Sequence, residues 1–336
     1  MVKRTPRAVT TITPQRISFV GGGSDLPGFY LEHGGEVISS AIDQYVYVTV
    51  KRHSELFQEQ YRLSYSKTEH ANSVDYIENE IARECLRLVN IDHPLYIATA
   101  ADLPASSGLG SSSSFAVGLL NALHHMKGER VSAAQLAEEA CEIEINILGN
   151  PIGKQDQYAA AFGGLNHIKF IKSGRVEIDH MVLQHNLIET LFENSLLIWT
   201  GIQREASGIL SQQQLSMKNN IDLYRSLLSD VKTCKEILFE RGNDAIPLFG
   251  KLLEKTWATK RSLEATISNE IINEIHEYVS ALGGYGGKLS GAGGGGFMFE
   301  ILPKKLFPSV FGKYGHSRVL PVCYEPSGSR ILSELF

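Results

Sequence analysis

The spacing of apolar residues changes period several times along this chain. Residues 37–52, VISSAIDQYVYVTVKR, are rich in β-branched and aromatic side chains in partial alternation, which predicts a strand or hairpin. Over 73–89 the apolar positions fall at 74, 77, 81, 85, 86 and 89, the spacing of a helix. HPLYIATAADLP (93–104) predicts a second strand, and it runs directly into LPASSGLGSSSSFAVGLLNALHHM (103–126). There Phe115, Leu119, Ala122, Leu123 and Met126 share one face of a helix. A further helix is predicted over 132–147, with Ser132 as its N-cap. SLLIWTG (195–201) reads as a strand, and the sequence from there to about 282 is mostly helical, broken by the polar RGNDAIP at 241–247. The last fifty residues return to turns and strands in GGKLSGAGGGGFMFEIL and SRVLPVCYE. The change in character near 195 sets two domains, 1–195 and 196–336, with no linker between them and no internal repeat.

Composition narrows the class without naming a function. The 336 residues are 43% hydrophobic and 21% charged, as in ordinary globular proteins. A net charge of −5 gives no case for nucleic acid or an anionic membrane, so any bound anion must be held by a local site. Cys85, Cys141, Cys234 and Cys323 are scattered without a C-x-x-C pair, which argues against a zinc site or a disulfide framework and fits a reducing compartment. The basic start MVKRTPRAVTTITPQRISF lacks the apolar run of a signal peptide, and no stretch reaches 18 uninterrupted apolar residues. The expected location is the cytoplasm.

The candidate chemistry lies in glycine-rich stretches. In SGLGSSSS the apolar periodicity begins within a few residues of Gly110, so the segment has no slack to act as a linker. A helix emerging there presents free N–H groups and the positive end of its dipole, and Ser111 to Ser114 add hydroxyls; this is an anion site. A capping role alone would need only one or two of these residues. G-x-x-x-x-G-K-[ST] is absent, so the loop is not a Walker A motif. Gly291, Gly293 and Gly296 satisfy G-x-G-x-x-G, but a strand-like FMFEIL follows where a dinucleotide site needs a helix. That stretch reads instead as a turn packing its backbone on a neighbouring loop or a nucleotide. PQRISFVGGGSDLPGFY (14–30) places Ser24 and Asp25 after three glycines, which serves a plain turn as well as close approach to a ligand. In CEIEINILGNPIGKQDQYAAAFGGL (141–165), Glu142 and Glu144 precede a turn, and Asp156 lies near Lys154, a cation that would favour its charged form; alone, Glu142 reads as a solvated position and Asp156 as a cap.

Taken together and in this order, RISFVGGGSD, PASSGLGSSSS and KLSGAGGGG resemble the three signature segments of the GHMP small-molecule kinases, from about residue 8 to the C-terminus. Within that family the first motif, TGIQREASGIL (200–210) and WATKRSL (257–263) resemble the branch acting on D-glycero-D-manno-heptose 7-phosphate; Gly21-Gly22-Gly23 stands where galactokinase-like members carry Gly-Glu-His. The resemblance implies an α+β fold, with an N-terminal domain like the second domain of ribosomal protein S5 and a ferredoxin-like C-terminal domain, and a cleft between them using ATP and Mg²⁺. It implies that Ser106, Ser107, Gly108, Leu109, Gly110, Ser111, Ser112 and Ser113 wrap the ATP phosphates, and that Ser112 and Glu144 hold the metal. Asp156 takes the place of the catalytic aspartate, in a GKQD with one residue more than mevalonate kinases carry, and Arg16 that of the active-site cation. Gly22, Gly23, Ser24 and Asp25, with Gly293 and Gly294, fall to the acceptor, and Arg204, Lys260 or Arg261 to its 7-phosphate. His124 and His125, adjacent on a helix, do not converge on a metal.

The expected reaction moves the γ-phosphoryl of ATP onto the anomeric hydroxyl of the sugar phosphate, a small-molecule partner; a homodimer is compatible with this reading. The alternatives are a kinase of the same family for fucose or a mannose derivative, and a non-catalytic sugar or nucleotide sensor of the same fold.

Overall fold

The computed structural model describes residues 5–336 apart from positions 92, 185 and 205. Its first layer is an eight-stranded sheet built on two long strands, β1 (Ala8–Val20) and β2 (Gly35–Arg52), joined through the short helix α1 (Pro27–His33). β2 is long enough to serve two neighbours. Its second half pairs with β5 (Leu95–Ala101), which runs parallel to β3 (Tyr61–Ser64) of the hairpin β3–β4 (Thr68–Ala71). Its first half pairs with β6 (Leu165–Phe170), and that strand with β7 (Val176–His180). The helices α2 (Glu80–Val89), α3 (Ser111–Lys127), α4 (Ala133–Cys141) and α5 (Gln155–Phe162) complete this half, which encloses an apolar core.

Three sequence expectations are refined here. The helix expected over 73–89 begins only at Glu80, because the Asn79 side chain caps Ala82 N–H at 3.0 Å and the Glu69 carboxylate takes the N–H groups of Glu78 and Asn79. α3 is buried almost all round and not along one face, being packed against β1, β2, α2, α4 and α5. The helix expected over 132–147, capped by Ser132 on Gln135 N–H at 3.1 Å, is α-helical to Cys141 and then widens into a π-helical stretch, Glu142–Ile147.

The second layer starts with α6 (Leu187–Glu193) and β8 (Ser195–Trp199). Four helices follow: α7 (Ala206–Ser216), α8 (Ile221–Glu240), α9 (Ala245–Arg261) and α10 (Glu270–Ala281). The chain then passes through β9 (Gly286–Leu289), β10 (Phe297–Ile301), α11 (Phe307–Tyr314) and β11 (Val319–Pro321). The four strands form an antiparallel sheet in the order β11-β8-β10-β9, with helices between the first and second and between the third and fourth strands, which is the ferredoxin-like arrangement. Ile17, Phe19 and Ile38 of the first layer pack with Phe249 and Phe299 of the second in one apolar cluster, Phe19 meeting Phe249 edge-on at 5.1 Å between ring centres. The last strand, β12 (Arg330–Leu335), then leaves the second layer and pairs antiparallel with β1. The C-terminus therefore belongs to the first sheet. Among the described residues no helix is long and apolar enough to cross a membrane.

Candidate active site

The two layers border a polar cleft of about 550 Å³. On one wall stands the Ser/Gly loop. Ser106, Gly108 and Gly110 all adopt positive φ, which turns the chain sharply into α3. Ser111, Ser112 and Ser113 open the helix and line the cleft, so its first, intrahelically unpaired N–H groups lie beside that space. The second glycine-rich stretch braces the loop, backbone on backbone. A Cβ on Gly108 would lie 2.5 Å from Ser290 O, and one on Gly291 would lie 2.6 Å from Gly108 Cα. Here the turn expected from the sequence to pack on a neighbouring loop does so, and the tight approach explains why these positions carry no side chain.

Below the loop, the fully buried Glu144 accepts from Ser112 Oγ at 2.5 Å, Ser113 Oγ at 2.7 Å and Gln157 Nε2 at 2.7 Å. Burial raises its carboxyl pKa, the three donors oppose that rise, and nearby Asp156 adds to it. Glu144 sits in the π-helical stretch, whose wider turn is a common device at functional sites. The pair Ser112–Glu144 offers one hydroxyl and one carboxylate that has no cation partner among the described residues. That donor set fits Mg²⁺, which prefers one or two protein ligands completed by phosphates and water.

The centre of the cleft is an ion pair. Arg16, brought round by the bulge after Pro14 in β1, donates Nε to Asp156 Oδ1 at 2.7 Å and Nη2 to Oδ2 at 2.6 Å. Its Nη1 donates to Gly108 O at 2.7 Å, which ties the carboxylate to the Ser/Gly loop. Asp156 stands in the first turn of α5. The cation expected beside it, Lys154, faces elsewhere: its Nζ donates to Gly174 O at 3.1 Å and lies 5.8 Å over the Tyr30 ring. Arg16, more than a hundred residues away in sequence, takes its place.

The corner expected from the sequence to hold the acceptor is built from the β1–α1 turn. Asp25 is buried; it accepts from Gly23 N–H at 2.9 Å and Gln155 Nε2 at 3.1 Å, and burial, followed by repulsion from Asp156, pushes its pKa up. Gly22, Gly23 and Gly153 line the same corner. Lys260 enters from α9, donates to Gly291 O, and has a pKa lowered to about 8 by burial and by Arg16, against the pull of Asp25 and Asp156.

Several sequence assignments are corrected by these positions. The Ser24 hydroxyl turns away, donating to Glu36 O at 2.9 Å and accepting from Glu36 N at 3.0 Å, so it shapes the turn. Leu109 is buried in the apolar cluster between the layers. Gly293 packs against Ile267 and Gly294 against Arg204, so both glycines support the turn from outside the cleft wall. Arg204 is exposed and outside that wall. Arg261 stacks 5.6 Å over Trp257 and bonds Asn273. Glu142 is exposed, as its sequence position suggests. His124 is buried between Glu129 and Glu139 at 2.7 and 2.8 Å, while His125 bonds Glu334. Sequence reasoning missed Gln155, Gln157, Ser18 and Lys288, which bond Asp25 or Glu144 or stand on the cleft wall. Only Lys288 left a trace, as a lone charge inside a stretch of small and apolar residues.

A cleft that offers a helix start to an anion on one side and an arginine-held carboxylate to a hydroxyl on the other belongs to a small-molecule phosphotransferase. The GHMP kinases N terminal domain matches residues 71–164 and the GHMP kinases C terminal domain matches residues 235–305, and the chain belongs to the GHMP kinase family. It is a phosphotransferase with an alcohol group as acceptor. The D-glycero-alpha-D-manno-heptose 7-phosphate kinase of Campylobacter jejuni is 29% identical over 87% of this chain and 89% of its own length. The bifunctional fucokinase/GDP-fucose pyrophosphorylase of Arabidopsis thaliana is 27% identical over 87% of this chain but only 30% of its own length. The crystal structure of a D-glycero-D-manno-heptose 1-phosphate kinase from Bacteroides thetaiotaomicron superposes with a TM-score of 0.71 at 23% identity, covering 97% of this chain and 99% of that one, a likeness of fold.

Proposed function

We propose that this protein transfers the γ-phosphoryl group of ATP to the anomeric hydroxyl of D-glycero-D-manno-heptose 7-phosphate, giving the 1,7-bisphosphate. The observation that carries the reading is the double hydrogen bond between Arg16 and Asp156, set beside the Ser/Gly loop that starts α3. The similarity to a heptose 7-phosphate kinase over 87% of this chain supports the choice of sugar.

Transfer of this kind rests on positioning and charge neutralisation, because its transition state is loose. The N–H groups and hydroxyls of Ser111–Ser113 bind the donor phosphates at the positive end of α3. Ser112 and Glu144 would hold Mg²⁺, which when bound neutralises phosphate charge. Asp156 orients the acceptor hydroxyl and takes its proton, while Arg16 fixes that carboxylate in one geometry. Asp25 and Gln155 meet the sugar hydroxyls.

The test is ATP turnover against heptose 7-phosphate, free heptose, fucose, mannose and mevalonate, with phosphorus NMR to locate the new phosphate. Preference for heptose 7-phosphate and a new anomeric phosphate is the expected result. Turnover only with a free sugar would replace the acceptor, and no turnover with any would favour a sensor.

A further inference from the structure

Two lysines of the second domain reach the cleft without an ion-pair partner among the described residues. Lys288, in β9, is 4% exposed, and its ammonium donates to Ser18 O at 2.6 Å. Lys260, in α9, donates only to Gly291 O among the described residues. Neither forms an ion pair among those residues, although Arg16, the third cation of the cleft, is ion-paired with Asp156 and also bonds Gly108 O. An ammonium buried without a counter-charge is costly, so a fold that needed only packing here would place an apolar residue of the same length. Burial, Lys260 and Arg16 all push the Lys288 pKa down.

A second feature points to the missing partner. The Ser18 hydroxyl is 5% exposed by residue, lines the cleft, and has no hydrogen-bond partner among the described residues. It faces the backbone of the acceptor corner: a Cβ on Gly22 would lie 3.4 Å from Ser18 Oγ and 4.0 Å from Gln155 Nε2. Gln155 in turn binds Asp25. Lys288, Ser18, Gly22, Gln155 and Asp25 therefore form a continuous patch along the cleft.

We infer that Lys288, Lys260 and the Ser18 hydroxyl form a subsite for the phosphate that the acceptor already carries before the reaction. The inference rests on the kinase reading given above and deepens it: the phosphate is recognised by the lysine pair, and neither Arg204 nor Arg261 takes part. An incoming phosphate dianion supplies the absent counter-charge and the absent acceptor for the Ser18 hydroxyl in one contact.

The experiment compares the full-length protein with Lys288→Met and Ser18→Ala, using heptose 7-phosphate and free heptose as a matched pair. The quantity read is the ratio of kcat/KM for the phosphorylated acceptor to that for the free one. Loss of one charged hydrogen bond is expected to lower this ratio about 10- to 100-fold in Lys288→Met, and by less, in the same direction, in Ser18→Ala. In parallel, with the donor site filled by a non-hydrolysable ATP analogue, inorganic phosphate is titrated while the thermal midpoint is followed; the rise seen in the parent protein should be lost in Lys288→Met. An unchanged ratio, from equal losses on both acceptors, would place the lysine on the donor phosphates or in the fold and overturn the inference. So would a phosphate-dependent rise that survives Lys288→Met. If Lys288→Met fails to fold, Ser18→Ala decides the matter alone through the same ratio. Failure of the kinase reading shows separately, as absence of turnover in the parent protein, and leaves the phosphate titration intact.

Discussion

Asp156 meets Arg16 through both carboxylate oxygens, at 2.7 and 2.6 Å, and Arg16 uses its remaining nitrogen on the Ser/Gly loop. One guanidinium thus fixes the Asp156 carboxylate and the Ser/Gly loop in a single frame. Asp156→Asn keeps the size and half of that geometry but removes the base, so kcat should fall by at least ~100-fold with the fold intact by circular dichroism. Near-normal turnover would remove Asp156 from the mechanism. A smaller change tests the acceptor corner: a Cβ on Gly153 would lie 1.9 Å from Asp25 Oδ2, so Gly153→Ala must displace that carboxylate. Steady-state kinetics should show a raised KM for the sugar with little change in KM for ATP; equal change in both would place Asp25 outside the acceptor site.

At the scale of elements, α3 carries the site on a helix that is itself core. Gly118 lets it lie against β1, where Thr11 Oγ1 donates to Gly118 O at 2.9 Å and an added Cβ would meet Thr13 Oγ1 at 2.7 Å. Gly118→Ala gains helix propensity of about 1 kcal/mol, but the overpacking costs about 1–3 kcal/mol. Equilibrium denaturation should show net destabilisation. In the second domain, His276 of α10 is buried between Glu254 at 2.7 Å and Glu300 at 2.8 Å. Burial lowers its pKa, yet the two carboxylates outweigh that and raise it from 6.5 to about 10. The folded state therefore binds this proton more tightly than the unfolded chain. The stability it contributes is complete below pH 6.5 and is lost as the pH rises through about 10. Denaturation midpoints measured from pH 6 to 10 should fall across that window in the parent protein and much less in His276→Gln.

At the scale of the whole molecule, the chain closes on itself. β12 returns from the second domain to the edge of β1, Arg7 N–H donates to Leu335 O at 2.6 Å, and Ser329 meets Thr13 at 2.8 Å. A boundary at 195 with everything after it in a separate domain is thus incomplete, since the final strand finishes the first sheet. Deleting residues 329–336 should lower the thermal midpoint by at least about 5 °C, the scale of a few lost kcal/mol in a chain of this size. A truncated protein that melts like the parent would show that β12 is dispensable.

The sequence by itself determined the periods of the main strands and helices, the position of the Ser/Gly loop at a helix start, and the carboxylates Glu144 and Asp156. These are local signals, written within a few residues by spacing and by what glycine and serine permit. Tertiary structure decided which groups meet. Nothing local says that Arg16 and not Lys154 faces Asp156, that Ser24 turns to Glu36, or that Gly108 needs the bare backbone of Gly291. Nor does any window reveal that Lys288 is buried without an acid or that the last strand pairs with the first. Such pairings join residues a hundred or more positions apart, and their energies come from burial and counter-charge, which exist only once the two layers have packed.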